Sequence, residues 1–284
     1  MSKFKSLGAR ATSATIFAIV MIAGIYLHKV GLVLLFGVIM FIGLRELFTL
    51  SFTGDEEGLR KYRIPGTVLA FSPYLWVAVQ KLILPKEISS TFVNIAMFLL
   101  PVFIAMLLEL LGRARQQFSR VAFVALGIAY LTVPVSLVCD LAIQDKGFHP
   151  DIIMGLLVLI WISDTGAYFA GSAFGKHKLY PAISPGKTWE GSIGGAVITI
   201  ITAWFFPELF GEFSAGQWVI LGIIAVVFGT LGDLTESMLK RNNGVKDSGN
   251  IMPGHGGILD RFDAFIFLIP FAYLYIRLFI YGLY

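Results

Sequence analysis

The feature that most constrains this chain is a succession of long apolar runs separated by short polar segments. A helix that crosses a bilayer needs about 20 mostly apolar residues, and nine stretches of the sequence come near that length. We therefore predict an all-α, polytopic integral membrane protein with about nine transmembrane helices. The predicted spans are residues 11–27, 30–50, 64–84, 91–111, 121–141, 152–170, 191–206, 217–239 and 262–284.

The composition excludes a water-soluble globular domain. Hydrophobic residues make up 57% of the chain and charged residues only 14%, whereas soluble domains carry about 25% charged residues. Too few polar side chains are present to cover a water-exposed surface. Cys139 is the only cysteine, which excludes an intrachain disulfide and a cysteine-based zinc cluster. We expect it to be a small buried apolar residue.

Lysine and arginine are concentrated in every second loop. This pattern predicts how the chain is oriented in the membrane, since cytoplasmic loops are enriched in both residues. With nine spans, and with Arg45 and Lys81 counted with the loops that follow their spans, the N-terminal segment and every second loop carry 17 of the 22 basic residues, against four on the opposite side and Arg277 inside the last span. The N-terminus is predicted to be cytoplasmic and the C-terminus external. The first run lacks a cleavage pattern, so we expect a retained helix. Basic loops of this kind set topology, and no nucleic acid partner is expected.

Ionisable residues divide the chain unevenly. Residues 1–150 form apolar helices that we expect to serve packing, lipid access or dimer contacts, whereas residues 151–284 are predicted to carry the chemistry with their cytoplasmic loops. Within the second part, Asp164 lies inside an apolar run, where a carboxylate costs about 3 kcal/mol. Ionisable residues inside spans mark functional sites by default. The alternative is a packing carboxylate hydrogen-bonded to a neighbouring helix.

Two further pairs of carboxylates flank the last loop. Asp233 and Glu236 are three residues apart on one helical face, and Asp260 and Asp263 repeat that spacing on the next helix. Such pairs can converge near the cytoplasmic interface, where crowded carboxylates need a cation or a proton. Oxygen ligands without His or Cys suit Mg²⁺. The alternative, ion pairs that fix helix ends, would explain one pair better than two.

The loop between those pairs and the loop before span 191–206 both favour anions. Glycines let backbone amides approach an anion closely, and a helix start with a lysine and hydroxyls suits phosphate. The second loop contains GKT but not a Walker A motif, because Pro181 stands where that motif needs glycine. For the cations alone, a solvated basic loop is the alternative. The residues are Lys240, Arg241, Lys246, Asp247, Gly254, His255, Gly256 and Gly257 in the first loop and Ser184, Lys187, Thr188 and Glu190 in the second.

Residues 237–263, SMLKRNNGVKDSGNIMPGHGGILDRFD, resemble the signature of the phosphatidate cytidylyltransferases, the CDP-diacylglycerol synthases. Residues 164–191 are similar to the second set of matching positions in that family, and together the two segments cover about 55 residues. The resemblance implies that CTP and phosphatidic acid react in the cytoplasmic membrane to give CDP-diacylglycerol and pyrophosphate. It also implies Mg²⁺ dependence, with room for a monovalent cation in addition, and a homodimer.

The resemblance assigns roles residue by residue. It implies metal binding by Asp233 and Asp260, with Asp263 and Asp164 close to them. The catalytic set is implied to be Lys187, Lys240, Arg241, Lys246, Asp247, His255 and Arg261, and the substrate-binding set Ser184, Lys187, Thr188, Gly256 and Gly257. Phosphate oxygens are good nucleophiles, so no general base is assigned.

Two alternatives use the same features differently. An ion-coupled secondary transporter also needs intramembrane carboxylates and glycine-interrupted spans, but it often shows inverted repeats, and none is visible in this sequence. A CTP-dependent lipid kinase would transfer the γ-phosphate instead of CMP.

Overall fold

The structure is a computed structural model that describes residues 15–52, 56–84, 91–111, 118–145, 147–249, 251 and 256–282. These residues are mostly helical. The chain forms two compact units, the first from Met1–Asp140 with Asp247–Asp260 and the second from Leu141–Lys246 with Arg261–Tyr284. The predicted division near residue 150 rests on chemistry and stays a prediction.

The first unit contains the early helices. They are α1 (Thr15–Tyr26), α2 (Lys29–Ser51), α3 (Glu56–Leu82), α4 (Thr91–Leu111), α5 (Phe118–Gly127), a π-helical turn (Ile128–Thr132) and α6 (Val133–Ala142), which runs into the second unit. In the core, the buried Tyr74 hydroxyl donates to Val33 O at 2.5 Å and lies 3.5 Å from Cys139 Sγ. Cys139 is free and fully buried, as predicted.

The second unit contains the later helices and two short antiparallel ribbons. Its elements are β1 (Ile143–Gln144), β2 (Gly147–Phe148), α7 (Pro150–Phe174), β3 (Lys178–Tyr180), β4 (Ser184–Thr188), α8 (Trp189–Trp204), α9 (Phe206–Phe210), α10 (Ala215–Asn242), α11 (Leu259–Tyr275) and a π-helical turn (Ile276–Ile280). The first two residues of α11 belong to the first unit. The ribbons depart from the all-α prediction, because strands of two to five residues are too short to leave a periodic pattern.

Small residues let helices α7 and α8 touch along their backbones. A Cβ added at Gly195 would lie 2.7 Å from Ser163 O, and one at Gly191 would lie 2.8 Å from Ala167 O. Close approach at small residues is the usual way in which membrane helices pack, because lipid is as apolar as the side chains it would displace. The α7–α8 contact therefore fixes the start of α8 beside α7.

Six helices among the described residues are long and apolar enough to cross a membrane, which supports a multi-pass membrane protein. The other three predicted spans also contain helices. Helix α1 is shorter than a full span and α8 has only 16 residues, whereas α3 is long enough but contains two prolines and several polar residues that make it less apolar. The count of nine spans therefore stays a prediction. The six helices are Lys29–Ser51, Thr91–Leu111, Arg120–Ala142, Pro150–Phe174, Ala215–Asn242 and Leu259–Ile280.

Candidate active site

The second unit brings together three of the four predicted metal residues. Asp164 on α7 and Asp263 on α11 both lie close enough to Asp233 on α10 to interact with it electrostatically, and with each other. Asp263 is only 8% exposed, and its Oδ1 accepts a hydrogen bond from Ala264 N at 2.7 Å. Three helices thus contribute one carboxylate each to a single acidic cluster.

Lys187 supplies a cation to that cluster. Its Nζ lies 2.5 Å from Asp233 Oδ2, and it also interacts electrostatically with Asp164. The other oxygen of Asp233, Oδ1, accepts a hydrogen bond from Ser237 Oγ at 3.2 Å. The carboxylate partners of Lys187 hold its ammonium group in place. Its side chain is still 25% exposed, which leaves it accessible to a ligand.

Local structure fixes Lys187 in this position. It is the next-to-last residue of β4, which pairs with β3, and Thr188 caps α8 by accepting a hydrogen bond from Gly191 N at 3.1 Å. Thr188 is buried, and its Oγ1 is the helix cap. The predicted phosphate contacts of Thr188, and of the partly exposed Ser184 at the start of β4, stay predictions.

A glycine brings α10 against α11. A Cβ at Gly232 would lie 2.7 Å from Asp263 O and 2.6 Å from Phe267 Cβ, so any larger residue would separate the two helices. This contact places Asp233, the next residue, beside the turn of α11 that carries Asp263.

The second cation of the cluster is Lys240, which is 8% exposed and interacts electrostatically with Asp263. It also forms an ion pair with the buried Glu236 one turn earlier on α10. The ion pair of Glu236 lies within one helix end, whereas Asp233 pairs with Lys187 of β4 and Asp263 interacts with Lys240 of α10. Glu236 holds the Lys240 ammonium group next to the acidic cluster.

The remaining predicted cations are more accessible. Arg241, Lys246 and Arg261 are exposed, and Arg241 Nη1 donates to Val245 O at 2.9 Å. Asp247 is exposed as well, in the first unit. His255 lies outside the described residues.

In the first unit, Asp260 lies among hydrogen-bond donors of its own loop. Its Oδ2 accepts from Ser248 N at 2.9 Å, Ser248 Oγ at 3.0 Å and Gly257 N at 2.7 Å. Gly256 has a φ of +79°, and a Cβ there would lie 2.5 Å from Asp260 Oδ2. The anion at these glycines is thus a carboxylate of the protein, and a role for Gly256 or Gly257 in binding phosphate stays a prediction.

Sequence reasoning missed Glu46, a buried carboxylate on α2 that contacts the same loop. It accepts hydrogen bonds from Ile258 N, Leu259 N and Ser248 Oγ at 3.1, 2.8 and 3.1 Å. A signal was present, since Glu46 lies inside the apolar run 30–50 just as Asp164 lies inside 152–170. The rule that identified Asp164 identifies Glu46 too.

A family model matches almost the whole chain, from residue 8 to residue 279, and its description is the cytidylyltransferase family. The chain belongs to this family. Over 264 residues it is 36% identical to a phosphatidate cytidylyltransferase of Staphylococcus saprophyticus, covering 91% of this chain and 95% of the relative. A phosphatidate cytidylyltransferase of Staphylococcus aureus is 35% identical over 265 residues, with the same two coverages. One from Bacillus subtilis is 45% identical over 165 residues, 57% of this chain and 60% of the relative.

The donor chemistry of this cytidylyltransferase fits Mg²⁺. The acidic cluster offers carboxylate oxygens beside lysines, without His or Cys. Among the described residues, no group of three or more His, Cys, Asp and Glu side chains could hold a metal ion alone. Mg²⁺ in nucleotide enzymes usually takes one or two carboxylates and completes its shell with water and substrate phosphates. The cluster therefore suits an ion shared with a nucleotide.

Glu190 orders the turn that leads into β3. Its carboxylate accepts hydrogen bonds from His177 Nδ1 at 2.6 Å, Lys176 N at 3.0 Å and His177 N at 3.1 Å. The His177 ring, followed by these amides, lowers the pKa of Glu190 from 4.5 to about 2. A lowered pKa means that the stabilisation is complete above about pH 4.5 and is lost as the pH falls toward 2.

We expect Glu190→Gln to speed amide exchange at residues 176–178 roughly fivefold at pH 7, because hydrogen bonds to a charged acceptor are stronger than neutral ones. Exchange measured by mass spectrometry, corrected for intrinsic pH dependence, should leave the wild-type protection unchanged from pH 8 to pH 5. Glu208→Gln on α9 is the matched control. Equal exchange in wild type and Glu190→Gln would contradict this role.

Proposed function

We propose that the protein is a CTP:phosphatidate cytidylyltransferase, which transfers CMP from CTP to phosphatidate and releases pyrophosphate. The observation that carries the proposal is similarity over 91% of the chain to relatives named phosphatidate cytidylyltransferase. The acidic cluster with Lys187 and Lys240 supports it, because it joins carboxylates and cations in a unit built of apolar helices.

The reaction brings two anions together. An oxygen of the phosphatidate phosphate forms a bond to the α-phosphorus of CTP, and the bond between that phosphorus and the α–β bridging oxygen breaks. The electron pair of the broken bond leaves with pyrophosphate. Because phosphate oxygens need no deprotonation to attack, positioning and charge neutralisation dominate the catalysis.

The residues of the second unit match that task. Lys187 would place its ammonium group on the nucleotide phosphates, and Asp233 would keep that group oriented. Lys240, held by Glu236, would offset charge that develops on pyrophosphate. Mg²⁺ held by Asp233, with Asp164 and Asp263 beside it, would neutralise phosphate charge. The metal role of Asp260 needs its own test.

The membrane setting follows from the two substrates. Phosphatidate keeps its acyl chains in the bilayer, whereas CTP arrives from water, so the acidic cluster should lie at the cytoplasmic end of the spans. The asymmetry of basic residues supports a cytoplasmic N-terminus in the cytoplasmic membrane. Nine spans and a homodimer remain part of this proposal.

Labelled CTP tests the proposal directly. Purified protein with phosphatidate and Mg²⁺ should place label from the α-phosphorus in the lipid and label from the γ-phosphorus in pyrophosphate, and chelation of the metal should stop both. Label from the γ-phosphorus in lipid would indicate a lipid kinase. Gradient-driven solute uptake by proteoliposomes without any CTP consumption would indicate a transporter.

A further inference from the structure

Glu46 is a buried acid without a basic partner among the described side chains. It is 6% exposed, and its two oxygens are occupied by the amides of Ile258 and Leu259 and by the hydroxyl of Ser248. Leu259 is the first residue of α11. Amides at a helix start have no partner within the helix and carry partial positive charge. The carboxylate of Glu46 therefore caps α11 from a residue about two hundred positions earlier in the chain.

The loop leaves space for this carboxylate only because it is built from glycine. A Cβ at Gly257 would lie 2.5 and 2.6 Å from the two carboxylate oxygens of Glu46, and one at Gly249 would overlap Oε1. Gly249 directly follows Ser248, and Gly257 lies two residues before the first residue of α11. A side chain at either position would push the loop off Glu46.

Ser248 joins Glu46 to Asp260. Its Oγ lies 3.1 Å from Glu46 Oε2 and 3.0 Å from Asp260 Oδ2, and its amide also donates to Asp260. One hydroxyl carries one proton, so it donates fully to one carboxylate at a time. On the other side, Glu46 holds the amide of Leu259, the residue directly before Asp260. Glu46 thus holds Ser248, one hydrogen-bond partner of the Asp260 carboxylate, and Leu259, the residue that precedes Asp260 in the chain.

We propose that Glu46 is a positioning residue for the cytidylyl transfer: it orients Asp260 by holding Ser248 and the first amides of α11. The inference rests on the proposed function and on the predicted metal role of Asp260. In this role Glu46 acts through Ser248, Leu259 and Asp260 and not by contact with a substrate. Its effect should therefore appear in kcat, because Glu46 holds Ser248, Ile258 and Leu259 and none of the predicted phosphate-binding cations.

The test compares Glu46→Gln, Glu46→Asp and Glu109→Gln in detergent-purified, full-length protein. Gln replaces one acceptor oxygen by a donor that would face amide or hydroxyl donors, whereas Asp keeps the charge with a shorter reach. Glu109 on α4 is a matched control, because it is another acid of the first unit with a side chain only 9% exposed, and it pairs with Arg120. Rates with α-labelled CTP give kcat and KM, and amide exchange at Ile258 and Leu259 reports the cap without any turnover.

We expect Glu46→Gln to lower kcat roughly 30-fold or more, since displacing a reacting group by about 1 Å can cost a hundredfold. KM for CTP should change less than about threefold. Amide exchange at Ile258 and Leu259 should become about fivefold faster, Glu46→Asp should recover part of kcat, and Glu109→Gln should match wild type in both measurements.

Wild-type kcat in Glu46→Gln would overturn the proposal, and so would a fall in kcat with unchanged exchange at Ile258 and Leu259. If Glu46→Gln does not fold, Ser248→Ala is the variant that tests the proposal. It removes the hydroxyl that lies between Glu46 and Asp260 but keeps Glu46 and its two amide partners. A lowered kcat with unchanged KM in Ser248→Ala supports the role of Glu46, and wild-type kcat overturns it. If wild-type protein transfers no CMP, the proposed function fails, and the exchange data alone still decide whether Glu46 holds the loop.

Discussion

Asp233→Asn is expected to lower kcat/KM for CTP about a thousandfold, a loss of about 4 kcal/mol in transition-state stabilisation. Asp233 lies at the centre of the acidic cluster, 2.5 Å from Lys187 and in electrostatic contact with Asp164 and Asp263. Asn keeps the shape but loses the charge that would hold both Mg²⁺ and the ammonium group of Lys187. Initial rates with α-labelled CTP over a range of Mg²⁺ concentrations measure the effect.

The control for this variant is Asp151→Asn. Asp151 lies in the first turn of α7, thirteen residues before Asp164, which is about 20 Å along the helix. It should keep wild-type rates. Wild-type turnover in Asp233→Asn would remove Asp233 from the site.

A double-mutant cycle with Lys187→Ala shows whether the ion pair acts as a unit. Lys187→Ala alone should raise the CTP requirement or slow turnover, because it removes one phosphate-binding cation. If Asp233 works partly by orienting Lys187, the double variant should lose less than the two single losses combined. Fully additive losses would mean that the two side chains act independently.

Much of the acidic cluster could be predicted, because its carboxylates are recognised from the apolar residues next to them in the sequence. A carboxylate inside an apolar run is unfavourable wherever the run packs, so Asp164 and Asp233 stood out before any fold was known. The ion pair of Asp233 with Lys187 could not be predicted. It depends on the β3–β4 ribbon and on the backbone contact of α7 with α8 at Gly191 and Gly195, which are tertiary features.

The glycine loop shows a different limit of sequence reasoning. Glycine amides predict that an anion is nearby, but they do not identify it. In the structure Asp260 accepts the hydrogen bond of the Gly257 amide, and Glu46 accepts those of the next two amides, Ile258 and Leu259. Because Glu46 is remote in sequence, no local pattern links it to the loop.

Length and apolar character together decided which predicted spans the structure supports, since the 27-residue α3 is long enough but too polar. Helices α2, α4 and α7 have 21 to 25 residues and coincide with apolar runs. Helix α8 ends at Trp204 after 16 residues, because the chain turns there into α9 with a proline at its start. Hydropathy marks where a helix can lie in lipid, whereas helix ends depend on caps and turns.

Asp260→Asn is expected to abolish metal-dependent turnover, with a fall of about a thousandfold at every Mg²⁺ concentration, while the protein stays folded. Asn retains one carbonyl oxygen, which can still accept hydrogen bonds from Ser248 and Gly257 in place of Asp260 Oδ2. What it loses is the negative charge. Rates with α-labelled CTP, gel filtration and a thermal melt of the same preparation measure the two properties separately.

Asp260→Ala separates the charge of this residue from its hydrogen bonds. Alanine accepts none of the three hydrogen bonds, so it should be inactive and also less stable, by about 1–3 kcal/mol for each buried donor left without a partner. Asp260→Asn should be equally inactive but melt close to wild type. Wild-type-like activity of Asp260→Asn at saturating Mg²⁺ would refute the metal role, and Asp260 would then serve the loop alone.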